Sequence, residues 1–336
     1  METPLVSVIL APHNARDFIV PCLESLCRQD YGNIQVLFVD NASTDGSAEF
    51  IEHTFPWVTV IRSATNLAYA GGNNLGAQHA DGELLLFLNH DTEVCPGFLT
   101  ELVDVMKNNP DVAICQSKIL RAAEPHTVDS IGAYITRTGV WIHPGQGGRD
   151  EWDGPLPRDV LGACGACLMV RREVFERLGG FDEDFVIYFE DADLSWRARA
   201  LGSRVIVVPR SVIYHWGGAT TSKLPSPFTV YHSFKNRLCL LIKMLAWKDL
   251  VTILPVHIAF CVGGAVAYFA GLKPHNAAAV VRGVAWNARA LRRTLRKRTE
   301  VWSLAGGRAR ECYREFVLSL PIGYFIRTSL GYLKKW

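Results

Sequence analysis

Short apolar runs alternate with amphipathic stretches over the first 120 positions. Val6–Leu10, Ile34–Val39, Val58–Ile61, Leu84–Leu88 and Val112–Cys115 are rich in Val, Ile, Leu and Phe, as expected of strands covered on both faces in a parallel sheet. Between them Phe18, Ile19, Cys22, Leu23, Leu26 and Cys27 recur at helical spacing, and Gly72–Ala80 and Phe98–Lys107 also fit helices. Strand and helix in alternation predict a doubly wound α/β sheet with helices on both faces, whose ligands bind beyond the carboxyl ends of the strands. From about 121 to 160 the pattern weakens into sequence containing Gly, Pro and Trp, which reads as a long excursion. Strand signals return at Cys167–Val170 and Val205–Val208, with a helix predicted over Asp191–Leu201.

After Pro227 the texture changes. Residues 251–272 contain no Lys, Arg, Asp or Glu. Such a run can cross about 30 Å of hydrocarbon, while Pro255, His257 and three glycines inside it suit a shallow or re-entrant segment; a buried core helix is the other reading. Charge changes sign in the same region. Residues 1–272 carry 21 Lys and Arg against 30 Asp and Glu, a net of −9, and residues 273–336 carry 14 against 3, a net of +11. Arg289, Arg292, Arg293, Arg296, Lys297 and Arg298 form a cluster suited to anionic headgroups or a diphosphate. These shifts divide the chain into an α/β domain over 1–240, in halves of about 1–120 and 121–240, and a helical basic and apolar region over 241–336 that is expected to associate with a membrane. At 49% hydrophobic and 20% charged the chain buries a core and is not disordered. Its start lacks the basic residues and long apolar core of a signal peptide, and its nine scattered cysteines read as reduced thiols. Cys164 and Cys167 make a CxxC without a second pair, so packing inside a strand is the expected role.

Polar residues gather just after the apolar runs. Pro12-His13-Asn14 follows the first, and Asp40-Asn41-Ala42-Ser43-Thr44-Asp45-Gly46-Ser47 ends the second. A strand-end carboxylate followed by short polar residues holds a base or ribose, or else caps the next helix. The fourth run ends in Asn89-His90-Asp91, where a carboxylate suits a hard divalent cation or is simply a solvated turn. The stretch Asn66–Gly76 is rich in glycine yet is neither GxGxxG nor a phosphate loop ending in GK[ST], which argues against dehydrogenase and ATPase chemistry. Tyr188-Phe189-Glu190-Asp191-Ala192-Asp193 opens an amphipathic helix. Acids are favoured there by the helix dipole, and aromatic neighbours can raise one carboxyl toward the range of a general base.

Six segments stand in a telling order: VSVILAPHN, VDNASTDGS, NLAYAGGNNLG, LLLFLNHDTEV, LGACGACLMVRREVF and GGFDEDFVIYFEDADLSWRARALG. In sequence and order they resemble the family-two glycosyltransferases of GT-A fold, and within these the bacterial rhamnosyltransferase-like branch, over about residues 5–240. The resemblance implies a GT-A type nucleotide-sugar-binding sheet. It implies that Asp40 contacts the base or ribose, with Pro12, Asn14, Asn66, Gly72, Asn73, Asn89 and His90 on the donor side. Asp91 takes the position of the last acid of the family's DxD motif, and Asn89 departs from that motif where its first acid would stand. His215, in Tyr214-His215-Trp216-Gly217-Gly218, matches a His that some relatives direct at the metal or diphosphate. Gly165 and Ala166 line the acceptor side, Asp191 is the base, and Glu190 is its partner in the Glu-Asp pair.

The resemblance further implies a divalent cation, Mg2+ or Mn2+, and one inverting displacement that moves a single sugar from dTDP-rhamnose or a UDP-sugar. The acceptor is a hydroxyl of a cell-surface glycan or a lipid-linked acceptor, at the cytoplasmic face of the membrane. The processive relatives' Gln-x-x-Arg-Trp signature is absent, which favours single transfer. The catalytic motifs leave the basic cluster to an anionic membrane surface rather than to nucleic acid. The competing readings are a non-catalytic nucleotide-sugar-binding protein and a sugar nucleotidyltransferase. The latter wants a glycine-rich loop after the first strand, where this chain has Ala11-Pro12-His13-Asn14.

Overall fold

The computed structural model describes residues 3–152, 154, 156–218, 224–306 and 312–319. In chain order the elements are β1 (Val6–Leu10), α1 (Ile19–Cys27), β2 (Ile34–Asp40), α2 (Ser47–Thr54), β3 (Val58–Arg62), α3 (Ala68–Gln78), β4 (Leu84–Leu88), β5 (Thr92–Val94), α4 (Phe98–Asn108), β6 (Val112–Arg121), β7 (Val128–Ser130), β8 (Tyr134–Thr136) and β9 (Trp141–Ile142). There follow β10 (Arg158–Asp159), β11 (Cys167–Arg171), α5 (Arg172–Arg177), α6 (Glu190–Ala200), β12 (Arg204–His215), α7 (Ser226–Met244), α8 (Trp247–Ala270), α9 (Pro274–Arg289), α10 (Leu291–Ala305) and β13 (Val317–Leu318).

One compact unit comprises the described residues of 1–133, 143–199 and 203–220. Its sheet runs β10-β12-β6-β11-β4-β1-β2-β3, with β5 paired to β12 and β7 to β6. The strands β4, β1, β2 and β3 are parallel to one another, so their carboxyl ends share one edge. The sheet is nevertheless mixed, not the all-parallel one that alternation predicts, because β11 runs antiparallel between β4 and β6. A four-residue apolar run carries no direction; the long excursion before β11 is what brings the chain back reversed. Beyond it β12 lies parallel to β6.

The alternation of side chains across the sheet puts helices on both faces. Val6, Val8, Leu10, Phe38, Leu84 and Leu86 pack with Ile19, Leu23 and Leu26 of α1 and Phe98, Leu102 and Met106 of α4. Burying one such side chain fully contributes about 1.5–3 kcal/mol. On the other face α3 lies so close that a Cβ at Gly76 would stand 2.4 Å from Ile9 Cγ2, and Phe87 packs edge-on to Phe181, their ring centres 4.8 Å apart. Both β6 and β12 continue past their apolar runs. Their later polar residues find partners inside: Ser117 Oγ and Ser211 Oγ are 2.7 Å apart, and Lys118 Nζ donates to Asp150 at 2.6 Å.

The second unit comprises the described residues of 134–142, 200–202 and 221–336. It holds α7 to α10 and a small sheet, β13-β8-β9. In this unit α9 sits against α7 at Gly283, where a Cβ would lie 3.1 Å from the Lys235 nitrogen and the Tyr231 carbonyl. Among the described residues α8 is the one helix long and apolar enough to cross a membrane. It buries a narrow stripe, Leu250, His257, Cys261 and Tyr268, and exposes Val251, Val262, Val266 and Phe269. Of the basic cluster, Arg298 is turned inward. Its guanidinium donates to the Ile242 carbonyl at 2.8 Å and lies over the rings of Trp247 and Trp302, so it does not face headgroups. By contrast Arg289, Arg292, Arg293 and Arg296 are exposed.

Candidate active site

Three loops meet beyond the carboxyl ends of β1, β2 and β3, and Asn41 ties them together. Its Nδ2 donates to the Ala11 carbonyl at 2.8 Å and to the Ala68 carbonyl at 3.3 Å, and its backbone N–H donates to Pro12. The Asn14 N–H donates to Ser43 Oγ and Asn14 Oδ1 accepts from Thr44 N–H. Asp40 is buried at the end of β2, its Oδ1 accepting the Ser43 N–H at 3.0 Å. Asn66 turns the chain into α3 by accepting the Ala68 N–H at 2.8 Å. Gly72 and Asn73 are directed at the protein itself. A Cβ at Gly72 would stand 2.5 Å from Asn41 Nδ2, and the buried Asn73 amide donates to the Tyr69 carbonyl. The glycine-rich segment is therefore a helix face flat enough to back the Asn41 hub. Asp45 Oδ1 accepts from Ser47 N–H and Oγ at the start of α2.

At the end of β4, Asn89, His90 and Asp91 meet the end of β12. His215 lies between two carboxylates: Nε2 is 3.3 Å from Asp91 Oδ1 and Nδ1 is 2.8 Å from Asp129 Oδ2. Burial disfavours the imidazolium, but hydrogen bonds to Asp129 and Asp91 outweigh it and raise His215 to about 9. Burial likewise pushes Asp91 upward, yet His215 holds its carboxyl below the ordinary value. The Asn89 amide nitrogen is 3.3 Å from the same Nε2, and Phe18 packs on His90, its ring centre 6.5 Å away.

A cation fits between Asp91 and His215 if it displaces the Nε2 proton that His215 otherwise directs at Asp91. Carboxylate and imidazole ligands stand about 2.0–2.2 Å from such an ion, so two adjacent ligands are separated by roughly the spacing seen here. Among the described residues no group of three or more His, Cys, Asp or Glu side chains is gathered to hold a metal. Two protein ligands suit an ion that takes its remaining oxygens from a diphosphate and water, as Mg2+ commonly does.

The Glu190–Asp191 side is built against the same edge. The Asn89 N–H donates to the Ala166 carbonyl at 3.0 Å, continuing the β4–β11 ladder one step past the strands. The adjoining Gly165 N–H donates to Asp191 Oδ2 at 2.8 Å, and the Gly165 carbonyl accepts from Tyr69 Oη at 2.7 Å. A Cβ at Gly165 would lie 2.8 Å from that hydroxyl, so glycine is what permits the approach. Asp191 Oδ1 accepts its neighbour's N–H from Ala192. Burial raises the Asp191 pKa while these N–H groups pull it back. Glu190, buried beside it, is raised well above the usual carboxylate range, by burial first and by the Asp191 charge next. Glu190 Oε2 lacks a hydrogen-bond partner among the described residues, whereas both Asp191 oxygens accept backbone N–H groups. Asp193 is committed elsewhere, to a buried pair with Arg197 at 2.7 Å.

Two residues missed in the sequence belong here: Asp129 on β7, and His143, whose Nδ1 is buried without a hydrogen-bond partner. Burial lowers the His143 pKa against the pull of Asp191 and Asp129. Both lie in the excursion, where no periodicity marks them. The backbone is strained around the same site. Among the described residues, six of the seven non-glycine residues with positive φ lie in these loops or open the helix that follows: Asn14, Ala42, Ala68, Val186, Tyr188 and Phe189. Such residues cost on the order of 1–3 kcal/mol each and gather where function holds them. Of the CxxC cysteines, Cys167 is buried in β11 with Sγ 3.2 Å from Ser117 Oγ. Burial pushes both thiols up, Cys167 to about 11.

Residues 7–179 match the family described as Glycosyl transferase family 2. The chain is 34% identical over 232 residues to the O-antigen biosynthesis protein RfbC of Myxococcus xanthus, covering 65% of this chain and 18% of that protein. It is 25% identical over 252 residues to the N-acetylglucosaminyl-diphospho-decaprenol L-rhamnosyltransferase of Mycobacterium tuberculosis, covering 68% and 82%. Thus the chain spans less than a fifth of the first relative and most of the second. Among solved structures it superposes on GalNAc-T7 with UDP, GalNAc and Mn2+ at a TM-score of 0.60 and 15% identity, covering 85% of this chain and 57% of that one. This likeness extends to the GT-A fold.

A carboxyl group raised on folding binds more protons folded than unfolded, so it lowers stability as pH climbs past its ordinary value. For Glu190 that value is 4.5. Glu190→Gln removes the penalty and is expected to raise the melting temperature at pH 7 but not at pH 4. Calorimetry at the two pH values checks this; an equal change at both would contradict a protonated Glu190.

Proposed function

This chain belongs to glycosyl transferase family 2, and from that membership and its site we propose an inverting enzyme that moves one sugar from a nucleotide-sugar donor to an acceptor hydroxyl. The observation that carries the reading is the hydrogen-bonded path Asn89–Ala166–Gly165–Asp191, which fixes a candidate base against the edge that holds Asp91. Asp191 accepts the proton of the acceptor hydroxyl. That oxygen bonds to the anomeric carbon as the bond from that carbon to the diphosphate oxygen breaks, and nucleoside diphosphate leaves from the opposite side. Asp40 and the loops tied by Asn41 hold the base or ribose. Asp91 and His215 would hold Mg2+ or Mn2+, whose contribution is to offset charge growing on the diphosphate. Glu190, neutral, spares Asp191 a second negative neighbour.

The donor is dTDP-rhamnose or a UDP-sugar. The rhamnosyltransferase relative supports the first, and the UDP in the superposed structure supports the second. The acceptor is a cell-surface glycan or a lipid-linked saccharide, in keeping with the names of both relatives. The exposed apolar face of α8 and the exposed arginines of α9 and α10 favour work at the cytoplasmic face of a membrane, with the chain peripheral, re-entrant or spanning once.

Asp191→Asn is expected to bind donor normally yet lose about two to four orders of magnitude in turnover, the usual worth of general-base catalysis. Because the base must be ionised, wild-type activity should fall as pH drops through a pKa above the ordinary aspartate range. Turnover near wild type in the mutant, with donor affinity intact by calorimetry, would put the base elsewhere. The membrane reading is checked by flotation with anionic vesicles. Wild type should float, and Val262→Asp with Phe269→Asp should leave the protein in solution; equal flotation of both would defeat it.

A further inference from the structure

Asp129 stands outside every motif of the chain and outside the donor and acceptor loops. Its strand, β7, pairs antiparallel with β6 through Leu120 with Val128 and Ile119 with Ser130. On the other side of β6, β12 pairs in parallel as far as His215 with Arg121. Asp129 and His215 are therefore carried on two strands that flank the same third strand, and the sheet itself sets their distance. Asp129 Oδ2 lies 2.8 Å from His215 Nδ1, while the opposite nitrogen is 3.3 Å from Asp91.

We infer that Asp129 is a positioning residue for the cation-binding edge: it accepts the Nδ1–H of His215 and so turns Nε2 toward Asp91. The inference rests on the reading of Asp91 and His215 as cation ligands. An imidazole ring can turn about two side-chain bonds, and one hydrogen bond at the far nitrogen fixes both its orientation and which nitrogen carries the proton. A carboxylate in that place also makes the facing nitrogen a better electron donor. Charge gives a second reason for an acid here. Asn89 leaves the Asn89–Asp91 edge with one carboxylate, and Asp129 supplies the other negative charge through the ring. Its side chain is partly exposed, at 22%, so replacing it does not open the core.

The test measures Mn2+ binding to the full chain by the electron paramagnetic resonance signal of the free ion, in the presence of UDP and, separately, of dTDP. Asp129→Ala is expected to weaken Mn2+ binding by about 10–100-fold. Asp129→Asn keeps an amide oxygen that can accept the Nδ1–H and is expected to recover part of the loss, which a merely structural defect would not. A second readout needs no metal: the His215 Nδ1–H resonance in a proton–nitrogen spectrum should persist in Asp129→Asn and vanish in Asp129→Ala. Mn2+ affinity unchanged in a folded Asp129→Ala protein would overturn the inference while leaving the cation reading intact. A wild type that takes up no Mn2+ with either nucleotide would overturn the cation reading and this assignment together.

Discussion

The antiparallel pairing of β11 against β4 is the contact on which the rest of the site depends. Cys167 stands opposite Leu88, and the next hydrogen bond, from Asn89 N–H to the Ala166 carbonyl, lies outside both strands. That one extra rung joins the loop bearing Asp91 to the loop bearing Gly165. Since Gly165 in turn donates to Asp191, two acids exactly a hundred residues apart in sequence are held on one frame. A ladder is a stiff way to do this, because each rung fixes the next.

On that frame neighbouring acids are treated in opposite ways. His215 keeps Asp91 ionised despite burial. Glu190, buried with Oε2 unpartnered among the described residues, is pushed upward instead. Asp191 lies between these extremes, buried yet served by two backbone N–H groups. The positive φ angles of Val186, Tyr188 and Phe189 immediately before α6 show that the chain accepts backbone strain to deliver the pair at this point.

Most strand-end chemistry was legible because apolar runs stop abruptly at polar residues, so Asp40, Asn89 and Asp91 announce themselves by position. The direction of β11 was not legible, since its run reads the same for either orientation. Gly72 and Asn73 look like ligand contacts in a glycine-rich string, yet in space they serve helix packing and the Asn41 hub. Asp129 and His143 were invisible for a different reason: they lie in short irregular segments where side-chain periodicity never repeats long enough to register. Arg298 was misread because a basic run suggests a solvated face, whereas the Trp247 and Trp302 rings cover its guanidinium.

The central claim is that one base and one diphosphate-binding edge address the two sides of a single anomeric carbon. The configuration of the product at that carbon tests this most directly. With a donor that supports transfer, proton–carbon coupling at the anomeric position should show the configuration opposite to the donor's. Retention would contradict the account, because a single displacement from the Asp191 side cannot give it.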